Sequence, residues 1–275
     1  MRRGTLLLLA APGAALITAF FLLPLAAVSR DAFADGGAAF SRVYRNDLFW
    51  DAMRGTLVLA ATASLFSLAV GFAVALHLSR MAEGARTVLT FFIALPLTFS
   101  GLIVAYGFIL AYGRAGLVTQ LLALAGFDPV RLSALLYSPT GLAFASSYYL
   151  IPRVVMLMLP VLLNFDRAQL LAAESLGATR GGALRDIMIP QILPTAFAAL
   201  CLIAAVVIGA YGTALALVGT RVNILPLQLY SMISESGSDF AAAAVLSLML
   251  MAMCSSVIAA GEILAARRET RDAHA

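Results

Sequence analysis

Few side chains in this sequence are arranged to do chemistry. His77 and His274 stand alone, with no second ligand at helical spacing, which argues against a metal site. Cys201 and Cys254 lie inside apolar stretches and read as small buried residues. No Ser/His/Asp set, carboxylate pair or glycine-rich phosphate loop stands out, so no catalytic site is expected. All 18 basic residues are arginine. A phosphate-binding P-loop needs a lysine on the β- and γ-phosphates, so this sequence carries no such loop of its own. What remains is a polar stretch at 164–190 and a few polar groups inside apolar windows: Arg153, Tyr106, Tyr148, Tyr149 and Tyr211.

Arg153 is the one ionisable residue well inside an apolar window. A charge there costs about 2.5–3.5 kcal/mol on insertion scales and usually faces a cavity or a partner. Two readings stand. The guanidinium either lines a translocation path or joins two helices, or it snorkels to the interface. On a path it would favour anionic over cationic cargo. The four tyrosines are candidate lining residues, with interface belts and helix packing as the plainer alternative. Tyr211 is the strongest of them, flanked by Gly209 and Gly212. Pro96, Pro152 and Pro160 remove helical hydrogen bonds, leaving kinks or irregular backbone beside a cavity.

In the polar stretch, Asp166 can cap a helix, and Gln169 stands three residues later as a capping box requires. Gly177 supplies a stop. The expected helix has about ten residues, or roughly 15 Å. Ala172, Ala173 and Leu176 share one face of it. Such a face can seat in a groove on another protein or pack on its own chain; spacing alone leaves both open.

The elements that hold these residues follow from composition. Hydrophobic residues make up 62% of the chain and charged ones only 12%, against about 25% in a soluble domain. About 20 apolar residues cross a bilayer. Uncharged windows predict six spans, near 5–29, 55–79, 87–112, 140–163, 191–218 and 240–264, in one transmembrane domain over 1–275. With both termini cytoplasmic, ten arginines fall inside and seven outside, the sense of the positive-inside rule. The net charge of +4 is spread over helix ends rather than gathered in a stripe, which argues against nucleic acid binding. Residues 115–127 are too few to span and fit an interfacial or re-entrant helix. The first window reads as an uncleaved span, since its uncharged run exceeds the core of a signal peptide. Residues 30–54 read as a polar exterior loop turning at Gly36 and Gly37.

The 164–190 stretch resembles the cytoplasmic EAA loop of binding-protein-dependent ABC importer permeases. That pattern runs Glu-Ala-Ala, three residues, Gly, nine residues, Ile-x-Leu-Pro. Ala172, Ala173, Gly177, Ile187 and Pro190 match at full spacing; Ile189 replaces the family's Leu, and Leu171 replaces its Glu, with Glu174 one turn further on. Ala94-Leu95-Pro96-Leu97, the pair Pro152 and Pro160, and Gly209-Ala210-Tyr211-Gly212 are similar to the family's patterns in the corresponding spans. Motif order and spacing are most similar to the spermidine/putrescine group; thiamine, iron(III) and aminoethylphosphonate permeases are the alternatives.

The resemblance implies an all-α membrane protein with the MetI-like permease fold, set in the bacterial inner (plasma) membrane. It implies that Gln169, Ala172, Ala173, Glu174, Gly177, Ile187 and Pro190 form a coupling helix and its flank. That helix would sit in the cleft of a separate cytoplasmic ATPase, which holds the ATP and magnesium; this chain would hold no cofactor. A second permease, related or identical, and a periplasmic binding protein complete the implied assembly. An ion-coupled secondary transporter would need acids within its spans, and none lies mid-span here. A membrane enzyme would need a clustered polar site.

Overall fold

Backbone N–H and C=O groups cannot stay unpaired in lipid, and uncharged windows of this length satisfy them as helices. The computed structural model describes residues 11–234 and 239–272. Arg2, Arg3, the beginning of the first window and His274 lie outside them. Among the described residues there is no strand, and six helices are long and apolar enough to cross a membrane.

The first, α1 (Ala11–Ala32), turns π-helical at Thr18–Leu22, just before Pro24 removes an N–H. Its apolar side chains, Phe20 and Phe21 among them, are exposed, as suits a lipid-facing helix. After the expected turn comes α2 (Ala38–Tyr44). Then α3 (Asp47–Leu78) begins where Asn46 Oδ1 accepts from Leu48 N at 3.0 Å. The exterior loop predicted at 30–54 is therefore mostly helical: the Asn46 cap starts α3 two turns before the uncharged window does.

The window at 87–112 is broken rather than continuous. It holds α4 (Glu83–Ala94), a 3-10 turn at Leu95–Thr98 and α5 (Gly101–Tyr112). Pro96 sits in the 3-10 turn, Phe99 and Ser100 are extended, and the Ser100 hydroxyl caps α5 through Ile103 N at 3.5 Å. The helix α6 (Leu117–Leu124) follows, eight residues within the stretch read as interfacial or re-entrant. Together α5 and α6, Gly101–Leu124, make the third candidate span in place of 87–112, because the Pro96 break ends α4 early and the apolar run continues past Tyr112. Then comes α7 (Pro129–Leu136), capped by Asp128. The helix α8 (Pro139–Asn164) is capped by Ser138 and carries Pro152 and Pro160 inside it.

After α9 (Ala168–Ser175), α10 (Arg180–Ile208) starts earlier than the predicted fifth span and also ends earlier. It turns π-helical at Leu184–Met188, ahead of Pro190. Beyond the break at Gly209 and Ala210 lie α11 (Gly212–Val218), α12 (Leu225–Ser234) and α13 (Phe240–Asp272).

Helices of equal apolarity to lipid associate by close approach, and small residues permit it. The main core is the crossing of α3 and α8, where Ala63, Ala75, Leu150, Val154 and Met158 are fully buried. Gly71 makes this crossing possible: a β-carbon there would lie 2.6 Å from Val154 Cβ. At the crossing of α10 and α13, Gly261 packs on Cys201 in the same way. A second core gathers Ala32, Val43, Phe49, Leu225 and Leu246 at the end of the bundle away from α9.

That end is clasped by charge. The Arg42 guanidinium donates to Asp35 Oδ2 at 2.7 Å and to both Asp239 oxygens at 2.8 and 3.0 Å. Its hydrogen bonds hold both carboxyls below the usual Asp range, and Asp239 in turn raises Arg42. The two carboxylates also accept from Ala39 N and Ala242 N, so the clasp ties α2 to the start of α13.

Two outcomes follow from this packing. Gly71→Ala should lower the melting temperature of the purified chain by several degrees, since overpacking costs about 1–3 kcal/mol. Gly84→Ala, with open space around it, should not. Equal melting of the two variants would contradict the close crossing. The depressed carboxyls stabilise the clasp above their unfolded pKa, and that stabilisation is lost as pH falls through their folded values, below about 3.9. Amide protection factors at Ala39 and Ala242 should accordingly hold from pH 7 to 5 and drop only in that acid range; Arg42→Met should lower them at neutral pH.

Candidate functional site

The 164–190 stretch projects from the bundle as a helix fixed at both ends. The chain leaves α8 through an extended Phe165. Asp166 Oδ1 then accepts from Ala168 N at 2.9 Å. The reciprocal half of the expected capping box is missing: Gln169 Oε1 instead accepts from Gln191 Nε2 at 2.7 Å, which ties α9 to α10. The helix is correspondingly shorter than expected, eight residues or roughly 12 Å. At its other end Gly177 has φ +93°, Gly177 N bonds Glu174 O and Ala178 N bonds Ala173 O, both at 3.0 Å. This is the left-handed stop expected of glycine. Thr179 Oγ1 caps the next helix through Gly182 N.

No residue of α9 is buried. At 100° per residue the helix has two sides. Arg167, Leu170, Leu171 and Glu174 point into a groove against the bundle. Gln169, Ala172, Ala173 and Leu176 lie on the other side, and Leu176 is 89% exposed. Leu171, at the position where the resembled family has Glu, and Glu174 thus share one side. Ile187 is half-buried in the π-helical turn, and Pro190 is exposed.

The five intramembrane candidates do not converge. Tyr148 lines a cavity of about 380 Å³ with Phe99, Ile103, Gly107, Phe108 and Tyr112. Tyr106 is exposed on α5 and is not among that cavity's lining residues. Tyr149 is buried and supports Arg153: Arg153 Nη1 donates to Tyr149 O at 2.8 Å, and its guanidinium lies 5.5 Å from the Tyr149 ring centre. Tyr211 stands at the break between α10 and α11, with its ring 5.3 Å from that of Tyr230 on α12.

Sequence reasoning missed two features here. Phe108, Tyr112, Phe144 and Tyr148 form one aromatic cluster. A second cavity of about 670 Å³ opens between α3 and α8, with Asp51, Arg54, Thr62, Thr140 and Ser147 as its polar lining. The signal for the first was weak, because α5 is apolar on every side. For the second, Asp51 and Arg54 fall in a polar stretch that composition alone reads as a loop.

Residues 66–270 match the family model described as "Binding-protein-dependent transport system inner membrane component". A putative 2-aminoethylphosphonate transport system permease protein of Salmonella typhi is 30% identical over 97% of this chain and 93% of its own. The chloroplastic sulfate permease 2 of Chlamydomonas reinhardtii is 28% identical over 90% of this chain, which spans 66% of that relative's length. A spermidine/putrescine transport system permease of Salmonella typhimurium is 27% identical, but over 54% of this chain and 51% of its own. The fold is that of a chain in the crystal structure of a bacterial alginate ABC transporter in complex with an alginate pentasaccharide-bound periplasmic protein. That chain has a TM-score of 0.77 and 19% identity, with coverage of 97% of this chain and 95% of the other. Six helices able to span a membrane, the match over 66–270 and a full-length relative at 30% identity lead to one conclusion: this multi-pass membrane protein belongs to the inner-membrane components of binding-protein-dependent transport systems.

Proposed function

We propose that this chain is the permease subunit of an importer driven by a separate ATPase, with α9 as the coupling helix. The observation that carries this reading is the state of α9. Single exposed leucines mean little. An eight-residue helix with no buried residue, however, is held to its own chain at its ends and along one side, and its other side stays uncovered among the described residues. A cytoplasmic ATPase, holding ATP and magnesium, would cover Ala172, Ala173 and Leu176. Its closure would press on the segment from Gln169 to Gly177, and the Gln169–Gln191 bond would pass that motion to α10. Glu174, Ile187 and Pro190 complete the coupling set.

In this assembly α9 and both termini face the cytoplasm of a bacterial cell, and the chain pairs with a second permease, related or identical. A periplasmic binding protein delivers cargo at the opposite end, where residues 113–139 and 220–234 lie.

For the cargo we infer a small oxygen-rich anion. Arg153 lies mid-helix in α8, and among the described residues its charge is met by a carbonyl and a ring rather than by a carboxylate. It therefore keeps an uncompensated positive charge, the form of group that draws anions within a membrane. The sulfate and phosphonate named for two relatives belong to that class. Polyamine cargo, favoured by motif order, is the second reading; the aromatic cavity around Tyr148 supports it through cation–π attraction.

Gly177→Asp tests the coupling role. It places a side chain at positive φ, costing about 1 kcal/mol or more, and puts a negative charge beside a helix C-terminus. Uptake should fall at least about tenfold while the chain still inserts; normal uptake with the ATPase bound would refute the role. For the cargo, uptake of radiolabelled sulfate and 2-aminoethylphosphonate should be measured beside that of spermidine, in wild type and Arg153→Gln. The anion reading expects anion uptake that drops about tenfold in the variant. Spermidine uptake unaffected by Arg153→Gln, with no anion uptake, would establish the second reading instead.

A further inference from the structure

A groove of about 780 Å³ opens between the ends of α3 and α8, the inward side of α9 and the start of α10. Leu76, Leu162, Leu184 and Met188 give it apolar walls. Arg80, Arg167 and Arg180 line it as well, against the single carboxylate of Glu174. Among the described residues, none of these four groups takes part in an ion pair. Arg167 makes one long bond, from Nη2 to Ser79 O at 3.4 Å. Arginines elsewhere do find acids: Arg42 binds two, and Arg131 lies 3.6 Å from Asp128. The groove is left with an excess of two positive charges over walls that are apolar.

Its level in the molecule narrows the ligand. Leu76 and Leu162 belong to the last turns of α3 and α8, and Arg80 and Arg167 follow within a few residues. The walls thus mark the edge of the hydrocarbon, and the guanidinium groups stand at the depth of lipid headgroups. Guanidinium forks match phosphate oxygens in geometry and charge. Basic pockets between membrane helices at that depth suit anionic headgroups. The groove lies on the side of α9 turned to the bundle, opposite Ala172 and Leu176, so a protein seated on the outer side of α9 would leave it open.

We propose that this groove binds an anionic phospholipid, its phosphodiester held by Arg80, Arg167 and Arg180 and its acyl chains along α3 and α8. The bound lipid would wedge α9 at a fixed height against the bundle. This site does not depend on the importer reading, and its test needs no ATPase.

The full chain, purified in detergent and stripped of lipid, is titrated with dioleoyl phosphatidylglycerol, dioleoyl phosphatidylcholine or inorganic phosphate and read by native mass spectrometry. Phosphatidylglycerol should be retained about tenfold better than phosphatidylcholine, and inorganic phosphate at millimolar levels should not displace it. Arg80→Gln with Arg180→Gln should remove that preference, while Lys at both positions should keep most of it. Glu174→Gln should strengthen retention, an effect opposite in sign to that of misfolding. Equal retention of the two lipids, an unchanged preference in the double Gln variant, or weaker retention in Glu174→Gln would overturn the proposal. Displacement by inorganic phosphate would assign the groove to a soluble anion and overturn it equally.

Discussion

Every irregularity in this molecule is governed by the cost of leaving a backbone N–H or C=O bare in lipid. Continuous helices meet that demand alone; broken ones cannot, and their loose groups need partners from neighbouring protein. The break after α4 is closed by the Ser100 hydroxyl, and the break after α10 by bonds from Gly209 N and Ala210 N back into the last turn. The two breaks also cover each other. Gly101, at the start of α5, approaches Thr213 Oγ1 at the start of α11 so closely that a β-carbon would collide with it. The two interruptions thus sit at one level of the bundle, with the starts of α5 and α11 in contact.

The same solvent explains the distribution of side chains. Lipid is as apolar as leucine, so burying leucine gains little, and large apolar residues such as Phe20, Leu65 and Leu110 point outward. Contact is reserved for places where backbones can approach. Gly71 against Val154 and Gly261 against Cys201 fix the α3–α8 and α10–α13 crossings. The cysteines owe their positions to this packing: Cys201 lies against Gly261, and Cys254 Sγ reaches Ala205 O at 3.6 Å.

What the sequence made legible was what depends on long windows and on single unambiguous stops. Five of the six apolar windows fall on a helix able to span, while the third is displaced from 87–112 to Gly101–Leu124; Gly177 ends α9 because only glycine enters positive φ at low cost. Averages over 20 residues are blind to breaks, however. Pro96 announced an irregularity in the third window, yet the hydropathy of 87–112 gave no sign that the chain would stop and restart at Ser100. Caps act in the opposite direction, since Asn46 carried α3 two turns into a polar stretch. Gln169 shows a third limit. Its local partner for a capping box was present, but Gln191, 22 residues away, offered a better one. The tyrosines do not gather at one place: Tyr148 and Tyr149, for instance, are neighbours on a helix and so point about 100° apart. One meets a cavity and the other meets Arg153.

The bond between Gln169 and Gln191 has a mechanical meaning that sequence patterns do not carry. The segment of α10 from Ile189 to Ile208 is about 30 Å of helix, stiff on the scale of a bilayer. It is held to α9 at one end and finishes at the Gly209 break at the other. It is preceded by the π-helical turn at Leu184–Met188, where Ile189 N bonds Leu184 O five residues back, just ahead of Pro190. A displacement of α9 would therefore reach the rod directly through Gln191, with the π-helical turn free to take up the change. The far end of that rod lies where α11 packs against the start of α5. A force applied to α9 would thus be delivered to a level where two helices are already interrupted.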